Sequence, residues 1–301
     1  METNYLRFIK SQLEKLEKLE PVPTNTAVKI EKDKTIKALV FDIYGTLIIS
    51  ASGDIDKAEF SGLHLKKALK SSGIEWDESI NQDKLMQQIL QDFFAEVNKQ
   101  QQESPYTYPE VDILKVWKDL IVQYQEKGLI KSKNLGLKQL AFHFELLSNK
   151  VFPMPGMKRI ITTLYNRGLP LGIVSNAQFY SPMLMNYLLN NELVEGAHIT
   201  CFDPDISIYS YKEGRSKPDT FLYEKLAASL EKKYQLSPEE VLYIGNDMLK
   251  DIYPAKQIGF KTVLFAGDKR SLRLREDDKR VRETKPDHVI EQLDQILAIL
   301  E

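Results

Sequence analysis

Three short apolar runs constrain this chain more than any other feature. Residues 38–41 (ALVF), 171–174 (LGIV) and 241–244 (VLYI) each stop abruptly at residues able to do chemistry. Runs of this length read as strands buried on both faces of a mainly parallel sheet. The first ends at Asp42, the second at Ser175 and Asn176, and the third at Gly245, Asn246 and Asp247. Gly45 and Thr46 break the first strand into a tight turn, leaving Asp42 at its carboxyl end, where open α/β sheets bind ligands. An Asp or Ser-Asn after one strand is ordinarily a turn former or helix cap. The repetition of the arrangement is what points to a site.

After Leu47 the chain changes character for about a hundred residues, with helical periodicity and no strand-turn-strand signal. Four helices are expected near 56–71, 77–99, 110–127 and 134–147, with Gly73, Pro105, Pro109 and Gly128 as breaks. Leu85, Ile89, Phe93 and Phe94, then Ile113, Val116, Trp117 and Leu120, read as the core of a helical bundle, with His64 and His143 as ordinary helix histidines. The α/β rhythm resumes at Val151. It continues with a helix through Tyr165, strands at 199–202 and 262–265, and a closing helix in 286–300. The expected organisation is a core of residues 35–50 and 151–301, an inserted all-α domain at 51–150, and an N-terminal appendage at 1–34.

That appendage carries Tyr5, Phe8, Ile9, Leu13, Leu16 and Leu19 at helical spacing, an amphipathic helix ended by Pro21 and Pro23. Its apolar face can pack on its own core or on a second copy, so a monomer or a homodimer is expected. A polar linker follows at 24–34. Arg7, Lys10, Glu14 and Lys15 rule out a signal-peptide core there, and no later stretch is apolar enough to span a bilayer. A net charge of −2 makes no case for nucleic acid or membrane as partner. The single cysteine, Cys201, excludes an internal disulfide and a cysteine metal cluster, and the expected compartment is the cytoplasm. The mixed charges of 269–285 read as solvated surface.

Lys217, held between a turn and Pro218 in GRSKPDT, is a fixed point cation suited to a phosphate or a carboxylate. Asp247 and Asp251, with Asp42 from another strand, are the oxygen donors a hard cation such as Mg²⁺ requires. Together the strand ends suit phosphoryl transfer through an aspartyl intermediate. In order and spacing, FDIYGTL, VSN, SKPD and GNDMLKD resemble the four motifs of the haloacid dehalogenase (HAD) superfamily. The resemblance implies a Rossmann-like three-layer α/β/α core and makes the insertion similar to a helical C1-type cap that selects the substrate. It implies Asp42 as nucleophile, Thr46, Ser175 and Asn176 around the transferred group, and Lys217 balancing charge. It also implies Mg²⁺ on Asp42, the Tyr44 carbonyl and Asp247, with Asn246 as the competing ligand.

Family phosphatases carry a second Asp two residues after the nucleophile as general acid and base, and here that position is Tyr44. D-x-Y-G-T is instead similar to the 2-haloacid dehalogenases, which need neither metal nor leaving-group proton. Those enzymes use a cap arginine, and this chain has none between Arg7 and Arg159. The expected function is a Mg²⁺-dependent phosphatase of a small phosphorylated metabolite. A dehalogenase and a binding or regulatory protein with little turnover are the alternatives.

Overall fold

The computed structural model describes residues 4–52, 60–77, 79–132 and 134–301. The chain opens with helix α1 (Asn4–Leu13) and strands β1 (Ala38–Phe41) and β2 (Ile48–Ser50). The insertion holds α2 (Gly62–Ser71), β3 (Ile74–Trp76), α3 (Gln82–Glu103), α4 (Ile113–Glu126), β4 (Ile130–Ser132) and α5 (Leu137–Ser148). Then come β5 (Val151–Pro153), α6 (Met157–Asn166), β6 (Leu171–Ser175), α7 (Ser181–Asn190), β7 (Ser207–Tyr209), α8 (Ser210–Glu213) and α9 (Phe221–Tyr234). The last part is β8 (Val241–Gly245), a π-helical turn (Met248–Ile252), α10 (Tyr253–Ile258), β9 (Lys261–Phe265), β10 (His288–Ile290) and α11 (Ile296–Leu300).

Six strands form one parallel sheet in the order β10-β9-β8-β1-β6-β7. Alternate residues of its central strands enter different cores: Leu39, Phe41, Ile173, Leu242 and Ile244 one, Ala38, Val40, Val174, Val241 and Tyr243 the other. Both faces are therefore covered, as the continuous apolar runs require. Register positions the site. Phe41 lies opposite Ile173 on β6 and Ile244 on β8, so the residues that follow on all three strands emerge at one edge.

The sheet departs from expectation at both ends. Residues 199–202 are turn, and the edge strand is β7 instead. Ile199 and Phe202 are buried, but the side chain of Asn186 accepts from Thr200 N at 2.7 Å and donates to His198 O at 2.7 Å, bonding the backbone without a strand partner. At the other edge, 288–290 form a sixth strand where helix was expected. Helix α1 ends at Leu13, six residues before Leu19, and buries Leu6, Ile9 and Leu13 in the main core beside Phe142 and Leu146. The segment expected to be a linker lies along β10: Lys29 and Val289 exchange backbone hydrogen bonds of 2.9 and 2.8 Å. It covers an otherwise open sheet edge.

The insertion has its own apolar cluster, including Leu65, Ile89, Phe93, Trp117, Leu120 and Phe144. Its helices start later than periodicity suggested, because the caps fall later. Ser61, Asn81 and Asp112 accept the first free backbone N–H groups of α2, α3 and α4. The expected start at Asp56 lies outside the described residues. The all-helix reading needs one addition, an antiparallel pairing of β3 with β4. Where the chain enters and leaves the insertion, β2 and β5 pair antiparallel, Ser50 opposite Val151. Among the described residues no helix is long and apolar enough to cross a membrane.

Candidate active site

Asp42 stands at the end of the central strand, 6% exposed, with its backbone N–H bonded to Ile244 O at 2.9 Å. Lys217 Nζ reaches Asp42 Oδ1 at 2.7 Å, Asp251 Oδ1 at 2.6 Å and the Val174 carbonyl at 3.3 Å. One ammonium thus serves two carboxylates inside the protein. Burial opposes its charge, but Asp251 and Asp42 more than compensate, so the Lys217 pKa rises above the ordinary lysine value. Asp251 is pushed up to about 6, chiefly by burial, with Lys217 opposing the shift and the other carboxylates adding to it. Both directions follow from one positive charge facing two negative ones.

Asp251, read from sequence as a metal ligand, takes its hydrogen bonds inside the protein. Oδ2 accepts from Asn246 N and Asp247 N at 3.1 and 2.9 Å, and Oδ1 accepts from Lys217 and from Tyr243 OH at 3.0 Å. A Cβ at residue 245 would sit 2.4 Å from Asp251 Cγ, so only glycine there lets the carboxylate fold back onto its own strand end. Asp247 is also committed: it caps the π-helical turn through Leu249 N and Lys250 N and is ion-paired with Arg275 at 2.6 Å.

Three more of the residues named from the sequence are buried or bonded within the protein. Thr46, fully buried, donates to Asn246 Oδ1 at 3.1 Å; it orients the amide and does not line the cleft. Ser175 is 1% exposed and likewise absent from the described wall. Asn176 does reach the wall, but its amide clamps the Lys217 backbone, accepting from N at 2.7 Å and donating to O at 3.3 Å. Burial and hydrogen bonding inside the protein, which a one-dimensional motif does not carry, separate these residues from those facing the cleft.

The cleft above Asp42 measures about 390 Å³ and is shared between the sheet edge and the insertion, which contributes Gln101, Tyr108, Glu110 and Glu145. Tyr44 lines it, its phenol 3.0 Å from Ser181 Oγ and its pKa raised by burial and by the charge of Glu145. Glu145, from α5, is 7% exposed and accepts from Asn149 Nδ2 at 3.2 Å and Tyr180 OH at 3.3 Å; burial raises its pKa. Glu110 is pushed up to about 7, mainly by burial, although Gln178 Nε2 donates to it at 2.9 Å. A larger cleft of about 680 Å³ opens beyond Glu110 and Gln178 but holds none of the strand-end residues. His143 is elsewhere, bonded to Ser71 and edge-on to Phe8, its pKa lowered to about 4 by burial. The sequence reading missed Glu110, Glu145, Tyr243, Ser271 and Arg273; no short motif marks them, and tertiary packing alone gathers them.

A family model described as haloacid dehalogenase-like hydrolase matches residues 36–259. The chain belongs to the haloacid dehalogenase-like hydrolases. This HAD-like hydrolase is 28% identical over 148 residues to a glyceraldehyde 3-phosphate phosphatase of Pyrococcus furiosus, covering 49% of this chain and 54% of that protein. A protein of the same name from Pyrococcus abyssi is 28% identical over 112 residues, covering 37% and 42%. The chain therefore spans about half the length of the curated relatives it matches. A HAD phosphatase from Thermococcus onnurineus superposes with a TM-score of 0.50 at 18% identity, covering 88% of this chain and 98% of that one. A 2-haloacid dehalogenase from Pseudomonas syringae pv. tomato gives 0.55 at 16%, with 88% and 98% covered. The two share the fold of this HAD-like hydrolase and differ in chemistry, so the reaction has to be argued from the site.

Proposed function

We propose that this HAD-like hydrolase is a phosphatase of small phosphate monoesters with Asp42 as nucleophile. The observation carrying the reading is Asp42 itself, a carboxylate on the cleft wall with one oxygen pinned by a buried ammonium 2.7 Å away and the other unbonded among the described residues. In this reading that free oxygen attacks phosphorus in line, the P–O bond to the alcohol breaks, and water then hydrolyses the aspartyl phosphate to restore Asp42. Lys217 holds the carboxylate in place through that contact. The phosphatases matched over 54% and 42% of their length support the reading. The insertion, which builds one wall of the cleft, would select the substrate as a cap.

The family resemblance brings Mg²⁺ with it, and the donor chemistry fits with one change of ligand. Asp247 and Asp251 each take several bonds inside the protein, which leaves as candidate oxygens the Asp42 carboxylate, the Tyr44 carbonyl and Asn246 Oδ1, which accepts one bond from Thr46. Mg²⁺ commonly takes only one or two carboxylates and fills its octahedron with water and substrate phosphate. Bound there, it would offset charge on the phosphoryl oxygens. The expected result is hydrolysis of p-nitrophenyl phosphate in Mg²⁺, lost in excess chelator and restored on adding the ion back. Asn246→Asp, by adding a charged ligand, should lower the half-saturating Mg²⁺ concentration by roughly tenfold. A second reading, halide displacement, is favoured by Tyr44 at the acid position and by Arg273, a core residue, on the cleft wall. Turnover that survives the chelator, with chloride released from 2-chloropropionate, would decide for it.

Tyr44 has a chemical consequence. Its phenol, shifted further above an ordinary value of about 10, is poorly matched to protonating a leaving alkoxide near neutrality. Aryl and acyl phosphates should outrun alkyl monoesters by the ~10²–10⁴-fold that general acid catalysis is typically worth. The check is kcat/KM across a leaving-group series for wild type and Tyr44→Asp. A steep wild-type dependence flattened by the substitution is expected; a flat one would mean that another group, such as Glu145, donates the proton.

A further inference from the structure

The loop after β9, residues 266–287, is exposed along much of its length, but its start is buried and part of it reaches the active-site cleft. Ser271 and Arg273 both line the wall that contains Asp42 and Asn246. Neither lies within the segment matched by the family model, which stops at residue 259. Both carry polar atoms that the protein buries without satisfying. Ser271 is 1% exposed, and its Oγ, like Arg273 Nη2, is buried without a hydrogen-bond partner among the described residues. Buried polar groups are nearly always bonded, and leaving one unpaired is costly, so two such donors at one cleft wall imply a ligand.

The loop is built to hold them there. Arg273 Nη1 donates to the carbonyls of Arg270 and Leu272 at 2.7 and 3.0 Å, which orients the guanidinium and leaves Nη2 over. The Arg273 backbone is stitched to the strand end through Arg273 N to Asn246 O at 3.0 Å and Met248 N to Arg273 O at 2.9 Å. Asn246 Nδ2 donates to Ser271 O at 2.6 Å. Gly45, in the turn after the nucleophile, admits the loop: a Cβ there would lie 2.6 Å from Ser271 Cβ, and the φ of +82° independently favours glycine. The chain's N-terminal segment braces the other side, with Lys269 N bonded to Val22 O at 2.8 Å and Arg270 Nη2 to Glu20 O at 2.6 Å.

Charge narrows the ligand. Lys217 is committed to Asp42 and Asp251, and Arg275 to Asp247. Arg273 has no ion-pair partner among the described residues, so its guanidinium can meet an anion in the cleft. We propose that Ser271 and Arg273 form a second anion subsite, and that the preferred substrates are phosphate monoesters carrying a further anionic group, a carboxylate or a second phosphate, close to the scissile ester. The proposal rests on the phosphatase reading for the scissile group. A guanidinium donor to an anion in a partly desolvated cleft is worth about 10–100-fold in affinity.

The test compares ethyl phosphate, 2-phosphoglycolate and ethylene glycol bisphosphate, which differ in the remote group alone: neutral, carboxylate or phosphate. Wild type should favour one or both anionic substrates in kcat/KM by roughly 10–100-fold, and the better of the two identifies the anion. Arg273→Gln should collapse that ratio, Arg273→Lys should keep part of it, and Ser271→Ala, which leaves the guanidinium anchor intact, should reduce it. Binding is read separately by calorimetry on Asp42→Asn, which needs no turnover: Arg273→Gln in that background should weaken 2-phosphoglycolate far more than ethyl phosphate. An equal loss for all three ligands would place Arg273 on the transferred phosphate and overturn the proposal, as would a wild type without preference. If none of the three is hydrolysed, the phosphatase reading fails, while the calorimetric comparison still decides the anion subsite.

Discussion

Replacing Asp42 by Asn is expected to lower kcat on p-nitrophenyl phosphate by at least ~10³-fold while leaving the protein folded. A carboxamide oxygen is a poor nucleophile, and neither other carboxylate at this strand-end edge is free to substitute: Asp251 is enclosed by four hydrogen bonds and Asp247 is capped and ion-paired. Stability should hold because the substitution relieves an imbalance. Lys217 keeps its shorter contact, 2.6 Å to Asp251, and the buried cluster goes from two carboxylates per ammonium to one. The measurements are initial rate and urea denaturation on the same preparation. Activity near wild type in a folded Asp42→Asn protein would end the aspartyl-intermediate reading.

Lys217→Met should have the largest effect on stability. The side chain is similar in length, so packing is conserved, but two buried carboxylates lose the ammonium that pairs with both. Removing one partner of a buried ion pair costs about 3–5 kcal/mol. The pH dependence separates this from a packing defect. In wild type the folded Lys217 pKa is raised, so its contribution is complete below the unfolded value of about 10.4 and is lost as pH rises through the folded one. Asp251 acts in the opposite sense. Its folded pKa of about 6 exceeds the unfolded ~3.9, so the fold binds its proton more tightly and stability from this group falls as pH rises from about 4 to about 6. Without the ammonium, the Asp251 carboxyl should prefer the protonated form more strongly, extending that fall to higher pH. Lys217→Met should therefore recover stability between pH 8 and pH 5 by more than wild type does. A variant as stable as wild type at pH 8 would show that the cluster does not support the fold.

Much of the architecture was legible because local patterns and tertiary structure agree. The four-residue runs ending at Asp42, at Ser175 and at Gly245 became adjacent parallel strands, since a run apolar on both faces is stable only inside a sheet covered on both sides. The insertion's helices were read from periodicity, and their starts were misplaced because Asn81 and Asp112 outcompete Asp77 and Glu110 as caps. Residues 199–202 show the limit of apolarity as a signal: Ile199 and Phe202 are buried, yet Asn186 supplies hydrogen bonds that a strand would have needed.

The candidate site divides along a similar line. Residue type and strand-end spacing determined that Asp42, Lys217 and an acidic stretch would meet, because parallel strands in register deliver their following residues to one edge. Which oxygen faces the cleft was decided by packing. Asp251 and Asp247 differ little as letters, but backbone N–H groups and neighbouring cations engage both, whereas Asn246 Oδ1 accepts one bond, from Thr46. Arg273 is the clearest case. In the sequence it is one charge in a mixed run that resembles solvated surface, whereas in the fold two carbonyls hold its guanidinium on the cleft wall beside Asn246 and Ser271. A side chain's chemistry travels with its identity, but its burial, partners and unpaired atoms arise from segments far apart in the chain, and only the folded molecule brings those together.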